Sequence, residues 1–173
     1  MELKIVITGT AAVGKTTAIQ SLSDNCAVTT DQCATDDLAE VKETTTVAFD
    51  FGEVELDDQT VVRIYGTPGQ ERFRHMWEII AEGALGFIIL VDASRADPVE
   101  DLSIYLSNFG EYIDATAAVV GVTRSDNYPN CVDTLCDYLE QRELAMPVMT
   151  VDPRDKSDMT LVMLSLLAML EYC

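Results

Sequence analysis

One short segment near the start of the sequence combines residue types that bind phosphate. Residues 9–16 read Gly-Thr-Ala-Ala-Val-Gly-Lys-Thr, which satisfies the phosphate-loop pattern G-x-x-x-x-G-K-[ST]. The glycines let backbone N–H groups turn toward a polyphosphate, and Lys15 adds a mobile cation for its β and γ oxygens. Thr16 is expected to place its hydroxyl on Mg²⁺. The predicted nucleotide-binding residues here are Gly9, Thr10, Ala11, Ala12, Val13, Gly14, Lys15, Thr16 and Thr17.

The residues around this segment have the order that a phosphate loop needs. An apolar run from Leu3 to Thr8 precedes it, and a helical pattern through Ala18, Ile19 and Leu22 follows. Continuous apolar runs recur downstream and alternate with helical patterns, which is typical of a covered parallel sheet. These runs are Thr60 to Tyr65, Leu85 to Val91, Ala117 to Val122 and Pro147 to Val151. The apolar stretch Leu161 to Leu170 is too short to span a bilayer and predicts a buried helix.

One predicted strand has a different pattern. Val47, Phe49 and Phe51 alternate with smaller or polar residues, and the phase changes at Gly52, which predicts a bulge. The segment leads through residues 57–59 into the next strand, so an antiparallel hairpin is expected. The predicted fold class is therefore α/β, a mostly parallel six-stranded sheet with one antiparallel edge strand and helices on both faces. Residues 1–173 are expected to form one domain, with a long mobile loop over residues 24–46.

Composition excludes several classes of partner. The formal net charge of −19 repels phosphate backbones and anionic headgroups, which argues against nucleic-acid binding and electrostatic membrane binding. The five cysteines include no C-x-x-C pair and the chain has one histidine, so a typical zinc site is not expected. No signal-peptide pattern is present at the N-terminus. We therefore expect a cytoplasmic protein with reduced thiols and no membrane insertion.

A second motif follows the third predicted strand, where residues 66–73 read Gly-Thr-Pro-Gly-Gln-Glu-Arg-Phe. With the phosphate loop upstream, the chain resembles a Ras-like small GTPase, and this segment resembles the D-T-A-G-Q-E-R-F switch segment of the Rab branch. A closer likeness is to prokaryotic small GTPases, including the gliding-motility (MglA-like) kind, in which the Asp-Thr-Ala is also altered. The resemblance covers essentially the whole chain. It implies a Ras-like P-loop fold, a GTP/GDP cycle and a Mg²⁺ cofactor.

The resemblance also assigns roles around the γ-phosphate. Thr46 begins a segment similar to the family's T-I-G-V-D-F-G, so Thr46 would ligate Mg²⁺ and sense the γ-phosphate, although the three threonines at 44–46 leave the register open by one. Gln70 would orient the attacking water, and the N–H of Gly69 would contact the γ-phosphate. The implied catalytic residues are thus Gln70, Lys15 and Thr46, and the implied metal ligands are Thr16 and Thr46.

Gly66 departs from the family pattern. The family carries there an Asp that holds Mg²⁺ through a water molecule, and glycine offers no side-chain oxygen. Another carboxylate is a candidate substitute, either Asp50 or one from the segment that contains Asp31, Asp36 and Asp37. Pro68 stiffens the centre of the switch because its ring fixes φ.

Two downstream segments resemble the family's base-binding motifs. Residues Thr123, Arg124 and Asp126 stand where the family has N-K-x-D, and the Asp126 carboxylate is suited to the ring N–H and exocyclic amine of guanine. Arg124 is expected to lie against the base. Asp152 and Pro153 fall near the S-A-K motif, where proline removes the N–H that contacts the guanine carbonyl. Asp152 or Arg154 is a candidate replacement donor.

Taken with the resemblance, these residues predict a GTP/GDP molecular switch with slow, activator-dependent hydrolysis. Its predicted partners are guanine nucleotide and protein regulators or effectors, with a Roadblock-type regulator suggested by the family, and the acidic surface favours a basic docking patch. A nucleotide-loaded interaction module without useful hydrolysis is the alternative, motivated by Gly66 and Pro153. A small P-loop kinase is disfavoured because the arginines do not cluster as a lid.

Overall fold

A twisted sheet with helices on both faces forms the centre of the molecule. The structure, a computed structural model, describes residues 2–23, 28–29, 49–57, 59–69 and 73–170. Within these ranges seven strands lie in the order β2-β3-β4-β1-β5-β6-β7. Their bounds are β1 (Glu2–Gly9), β2 (Val28–Thr29), β3 (Asp50–Asp57), β4 (Thr60–Gly66), β5 (Gly86–Asp92), β6 (Ala118–Thr123) and β7 (Val148–Thr150).

One strand runs against the others. Strands β4, β1, β5, β6 and β7 pair in parallel, whereas β3 is antiparallel to β4 and to the two-residue β2. The predicted α/β sheet, mostly parallel with one antiparallel strand, is confirmed, and so is the hairpin. The two-residue β2 adds a seventh strand by pairing with Asp50 and Phe51, so β3 lies inside the sheet and not at its edge.

The bulge predicted for this strand is present in β3, but it does not lie at Gly52. Gly52 pairs regularly with Ile64, and the register shifts nearer the turn, between Glu55 and Asp57. A Cβ built on Gly52 would lie 2.0 Å from the Ser23 hydroxyl oxygen. The glycine therefore serves the close approach of the preceding helix Lys15–Leu22, at Ile19 and Ser23, rather than an irregular pairing.

Five α-helices in the described part of the chain cover the sheet: α1 (Lys15–Leu22), α2 (Arg74–Ala81), α3 (Pro98–Asp114), α4 (Cys131–Glu140) and α5 (Lys156–Leu170). α1 and α5 pack on one face, and α2, α3 and α4 pack on the other. Successive residues of a strand point to opposite faces, so Ile5 and Ile7 join the first layer while Val6 joins the second. Burial on both faces explains why the strand sequences are continuously apolar.

The last helix is only half buried, which corrects the prediction of a buried helix. Met159, Val162 and Leu166 face the sheet, whereas the Leu161 and Leu164 side chains are 55% and 50% exposed. A helix packed on one side of a sheet leaves its other side to solvent. No helix in the described part of the chain is both long and apolar enough to cross a membrane. Among the cysteines that the structure describes, Cys131 and Cys136 are free thiols.

The strand directions bring five chain segments to one edge. β1, β4, β5, β6 and β7 are parallel, so their carboxyl ends meet there, and such an edge is where open α/β sheets bind ligands. Because β3 runs the other way, its first residue, Asp50, reaches the same edge and pairs with Gly66 at the end of β4.

Candidate functional site

The phosphate loop joins β1 to α1 through an unusual backbone path. Gly9 and Gly14 have φ of +145° and +113°, and Ala12 has a φ of +62°. A Cβ on Gly9 would lie 2.4 Å from the Leu90 carbonyl oxygen, so only glycine fits. A positive φ is uncommon for alanine. The carbonyl of Ala12 accepts a hydrogen bond from Arg124 Nη2 at 3.0 Å, which supports this conformation.

Lys15 lies inside this loop. Its Nζ donates to the carbonyl oxygens of Gly9 and Thr10, both at 2.7 Å, and the residue is only 7% exposed. Burial lowers the pKa of Lys15 to about 8, and the nearby Asp50 carboxylate opposes that shift. Lys15 therefore remains mostly cationic at pH 7, at the place where the sequence predicts the polyphosphate.

A carboxylate stands beside the first turn of α1. The Thr16 hydroxyl donates to Asp50 Oδ2, and Asp50 pairs across the strands with Gly66. Among the four carboxylates that the sequence left open, Asp50 lies at the site, whereas Asp31, Asp36 and Asp37 lie outside the described residues. The described ranges contain no group of three or more His, Cys, Asp or Glu side chains that could hold a metal by themselves.

The segment after β4 lies directly against the phosphate loop. A Cβ on Gly69 would be 2.7 Å from the Ala11 backbone nitrogen and 2.8 Å from Lys15 Nζ, so a side chain would not fit there. The buried Thr67 hydroxyl is hydrogen-bonded to that of Thr8 at 2.7 Å. Gln70 and Thr46 lie outside the described residues, and their roles stay predictions.

Trp77, in the layer formed by α2, α3 and α4, contacts the segment that follows β4. The Trp77 ring packs against Tyr105 and Phe109. In addition, its indole N–H donates to the Pro68 carbonyl at 2.8 Å. The sequence did not predict this contact, although a buried tryptophan N–H usually requires a partner.

Beyond the loop, a cavity of about 740 Å³ opens between the ends of β6 and β7 and the start of α1. Eight predicted site residues line it: Val13, Gly14, Thr17, Thr123, Arg124, Asp126, Asp152 and Pro153. Ser94, Asn127, Tyr128 and Asp158 also line it and were not predicted. The cavity thus brings the phosphate loop and both base-motif segments together.

Arg124 ties this cavity to the phosphate loop. Its guanidinium pairs with the Asp92 carboxylate through Nη1 and with the Ala12 carbonyl through Nη2. Burial tends to raise the pKa of Asp92, but hydrogen bonds from Ser94 and the Arg124 charge outweigh it and hold the pKa below its usual range. The sequence assigned Arg124 to the base and did not predict Asp92. Asp92 ends the buried strand β5, and this position was the feature of the sequence that could have indicated a site residue.

The backbone donors of the last loop are already engaged. The Asp152 N–H donates to Asp158 Oδ2 and the Arg154 N–H donates to Asp152 Oδ1, both at 2.9 Å, while Pro153 has no N–H. The Arg154 guanidinium binds the Asp152 carboxylate and holds the pKa of that carboxyl at about 2. Thr123 is buried, and its hydroxyl donates to the Val91 carbonyl at 3.4 Å. Asp152 and Arg154, the replacement donors suggested by the sequence, thus have backbone N–H groups that already donate to carboxylates of the protein.

Comparison with known proteins gives a family match. The model of a family described as "Conserved hypothetical ATP binding protein" matches residues 27–172, a stretch that begins after the phosphate loop.

Curated relatives point to the same class of protein. An uncharacterized protein of Methanocaldococcus jannaschii is 34% identical over 103 residues, which cover 60% of this chain and 59% of that protein. The Ras-related proteins RABA5d and RABA5b of Arabidopsis thaliana are 31% and 32% identical over 116 residues, 66% of this chain and 48% and 49% of theirs. The chain therefore spans about half the length of these Ras-related relatives. Together with the fold, these matches support a nucleotide-binding P-loop protein of GTPase-like kind.

Proposed function

We propose that this chain, which belongs to the family of conserved hypothetical ATP-binding proteins, is a single-domain guanine-nucleotide switch of the cytosol. One observation carries the proposal. The phosphate-loop residues Val13 and Gly14 and the base-motif residue Asp126 line the same cavity. A nucleotide whose base meets Asp126 would thereby bring its phosphates toward the phosphate loop and Lys15.

Asp126 favours guanine over adenine. A carboxylate accepts from both the ring N–H and the exocyclic amine of guanine, a pair of donors that adenine does not present on that edge. The family description names ATP, so the choice of base is a part of the proposal that direct measurement must decide. The gliding-motility branch suggested by the sequence stays a prediction.

The residues of the loop account for phosphate binding. The Lys15 ammonium would transfer its two hydrogen bonds from the Gly9 and Thr10 carbonyls to phosphate oxygens, which are stronger acceptors because they are charged. The start of α1 at Lys15 adds backbone N–H groups and the positive end of the helix dipole. This arrangement concentrates positive charge in a chain whose net charge is −19.

Magnesium suits the donors at the start of α1. The Thr16 hydroxyl and the Asp50 carboxylate are hard oxygen ligands of the kind Mg²⁺ prefers, and Thr16 would hold the ion, with Thr46 as the second proposed ligand. When bound, the ion would offset negative charge on the phosphates.

Hydrolysis is proposed to be slow. Gln70 would orient the attacking water, while Gly66 and the altered base motifs weaken the remainder of the site. An activating protein, with a Roadblock-type regulator as the proposed kind, would complete it. The two nucleotide forms would present different switch surfaces to a partner protein.

The first experiment is a titration of nucleotide-free protein with fluorescent GDP, GTP and ADP, followed by chromatography of the products. We expect the protein to prefer guanine nucleotides over ADP and to form GDP slowly from GTP. Equal affinity for ADP and GDP would overturn the assigned role of Asp126. Tight guanine binding without product would support the alternative function.

Gln70→Leu tests the hydrolytic role. The variant should bind GTP as the wild type does and lose most of its turnover, because leucine cannot orient water. Single-turnover GDP formation, with and without a candidate activator, measures this. Unchanged turnover under both conditions would remove Gln70 from the mechanism.

A nucleotide-loaded interaction module is the second candidate. It is favoured by the 152–154 loop, whose backbone donors are either missing or engaged within the loop and with Asp158. Protein that retains bound GTP unchanged over days, while still binding its partner, would support this function over the enzyme.

A further inference from the structure

The Asp50 carboxylate lies beside Thr16 at the start of α1, although the two residues are far apart in sequence. It accepts the hydrogen of the Thr16 hydroxyl, a contact between residues 34 positions apart. A hydroxyl that donates its hydrogen to a carboxylate keeps its oxygen lone pairs available for a cation. The pair Thr16–Asp50 thus places a hydroxyl oxygen that is able to bind a cation beside the negative charge of a carboxylate.

The antiparallel direction of β3 explains how Asp50 reaches this place. Asp50 begins β3 and pairs directly with Gly66, the last residue of β4. Residues directly opposite one another in an antiparallel pair have side chains on the same face of the sheet. A side chain at position 50 and one at position 66 would therefore point toward the same end of α1.

Gly66 leaves room for Asp50. A Cβ built on Gly66 would lie 3.1 Å from the Asp50 Cβ and 2.9 Å from Ile19 Cδ1. Both distances are shorter than ordinary van der Waals contact, so the glycine leaves the space around Asp50 open. At this pair of positions Asp50 is the residue that carries a carboxylate.

We infer that Asp50 and Thr16 form the Mg²⁺ site of this protein, with the carboxylate supplied from the start of β3, because Gly66 at the end of β4 carries none. The inference rests on the proposed nucleotide-binding function, because Mg²⁺ takes its remaining ligands from phosphate oxygens and water. Asp50 acts either on the ion directly or through an ion-bound water.

The test measures nucleotide release as a function of free Mg²⁺. Protein loaded with fluorescent GDP is diluted into excess unlabelled GDP at Mg²⁺ concentrations from micromolar to millimolar, and in EDTA. For Asp50→Asn, which keeps the side-chain shape, the Mg²⁺ concentration that half-maximally slows release should rise about 10- to 100-fold. Release in EDTA should stay as in the wild type, because the loss concerns the ion.

Two further variants sharpen the test. The double variant Asp50→Gly/Gly66→Asp should bring the Mg²⁺ midpoint back toward that of the wild type, since it returns one carboxylate to this pair of positions. Glu53→Gln changes the charge of the same strand by the same amount, at a residue bound to Arg63, and should leave the midpoint unchanged.

The outcomes separate this inference from the proposed function. Wild-type protein that binds no GDP would overturn both. Wild-type protein that binds GDP, together with an unshifted midpoint for Asp50→Asn, would overturn the metal site alone. Equal acceleration of release in Mg²⁺ and in EDTA, or an equal shift for Glu53→Gln, would also overturn it. Thermal unfolding of each variant shows that the comparison is made on folded protein.

Discussion

The phosphate side and the base side of the cavity are held by different kinds of contact. On the phosphate side, backbone conformation and close packing dominate, as at Gly9, where a Cβ would meet the Leu90 carbonyl at 2.4 Å. On the base side, ion pairs between side chains dominate, as between Arg124 and Asp92 or between Arg154 and Asp152. Arg124 is the link between the two sides because it also binds the Ala12 carbonyl.

This difference bears on how each side tolerates a change in sequence. Backbone N–H groups bind phosphate regardless of many side-chain identities, so the phosphate side keeps its geometry although Gly66 carries no carboxylate. Base recognition depends on individual donors and acceptors, so in the proposed base site Pro153, which has no N–H, would remove a specific contact. We expect substitutions on the phosphate side to abolish binding, and those on the base side to adjust it.

The largest expected effect is that of Lys15→Ala. The variant loses a cation that makes two hydrogen bonds within the loop, so affinity for GDP and GTP should fall about 100-fold or more. Equilibrium titration with fluorescent nucleotide measures the loss. Lys4→Ala is the matched control. It removes the same charge, but from a residue that donates to the Glu82 carbonyl. A loss shared by both variants would show that net charge, rather than the loop, is responsible.

An intermediate effect is expected from acid on the Asp92–Arg124 pair. The folded pKa of Asp92 lies below the usual value, so the pair stabilises the fold above that value and loses its effect as pH falls through the folded pKa. At pH 7 Asp92→Asn should lower the free energy of unfolding by about 1 kcal/mol, a modest amount because half of the Arg124 side chain is exposed.

Urea unfolding of both proteins between pH 7 and pH 3 measures this dependence. The difference between wild type and Asp92→Asn should begin to shrink as the pH falls through about 4 and should keep shrinking toward pH 3. Asp114→Asn, at an exposed position of α3, supplies the control. A difference that does not change with pH would mean that packing, rather than ionisation, stabilises this side.

The smallest expected effect is a gain. Pro153→Ala supplies an N–H beside the base cavity, so the preference for GDP over ADP should rise about threefold to tenfold, the value of one net hydrogen bond. Competition titrations of the two nucleotides measure the ratio. Pro147→Ala, just before β7, should leave the ratio as it is. An unchanged ratio in Pro153→Ala would indicate that this loop does not face the base carbonyl.

Much of the fold follows from local sequence. The runs from Leu3 to Thr8 and from Leu85 to Val91 correspond to β1 and β5, because strands covered on both faces must be apolar throughout. The α5 prediction was wrong about burial, since an apolar run does not reveal that only one side of the helix meets the sheet. The bulge in β3 was predicted but its position was not, because the reason for Gly52 lies in another element, at Ser23.

The sequence by itself determined the phosphate loop, because its residues are adjacent and their chemistry depends on the local path from strand to helix. Only the tertiary structure decided which carboxylate stands beside Thr16, that Asp92 holds Arg124, and that Trp77 supports Pro68. Each of these contacts joins different elements, and the partners of Thr16 and Arg124 lie 34 and 32 residues away. Strand order and direction bring such residues together, and neither is encoded in the spacing of one motif.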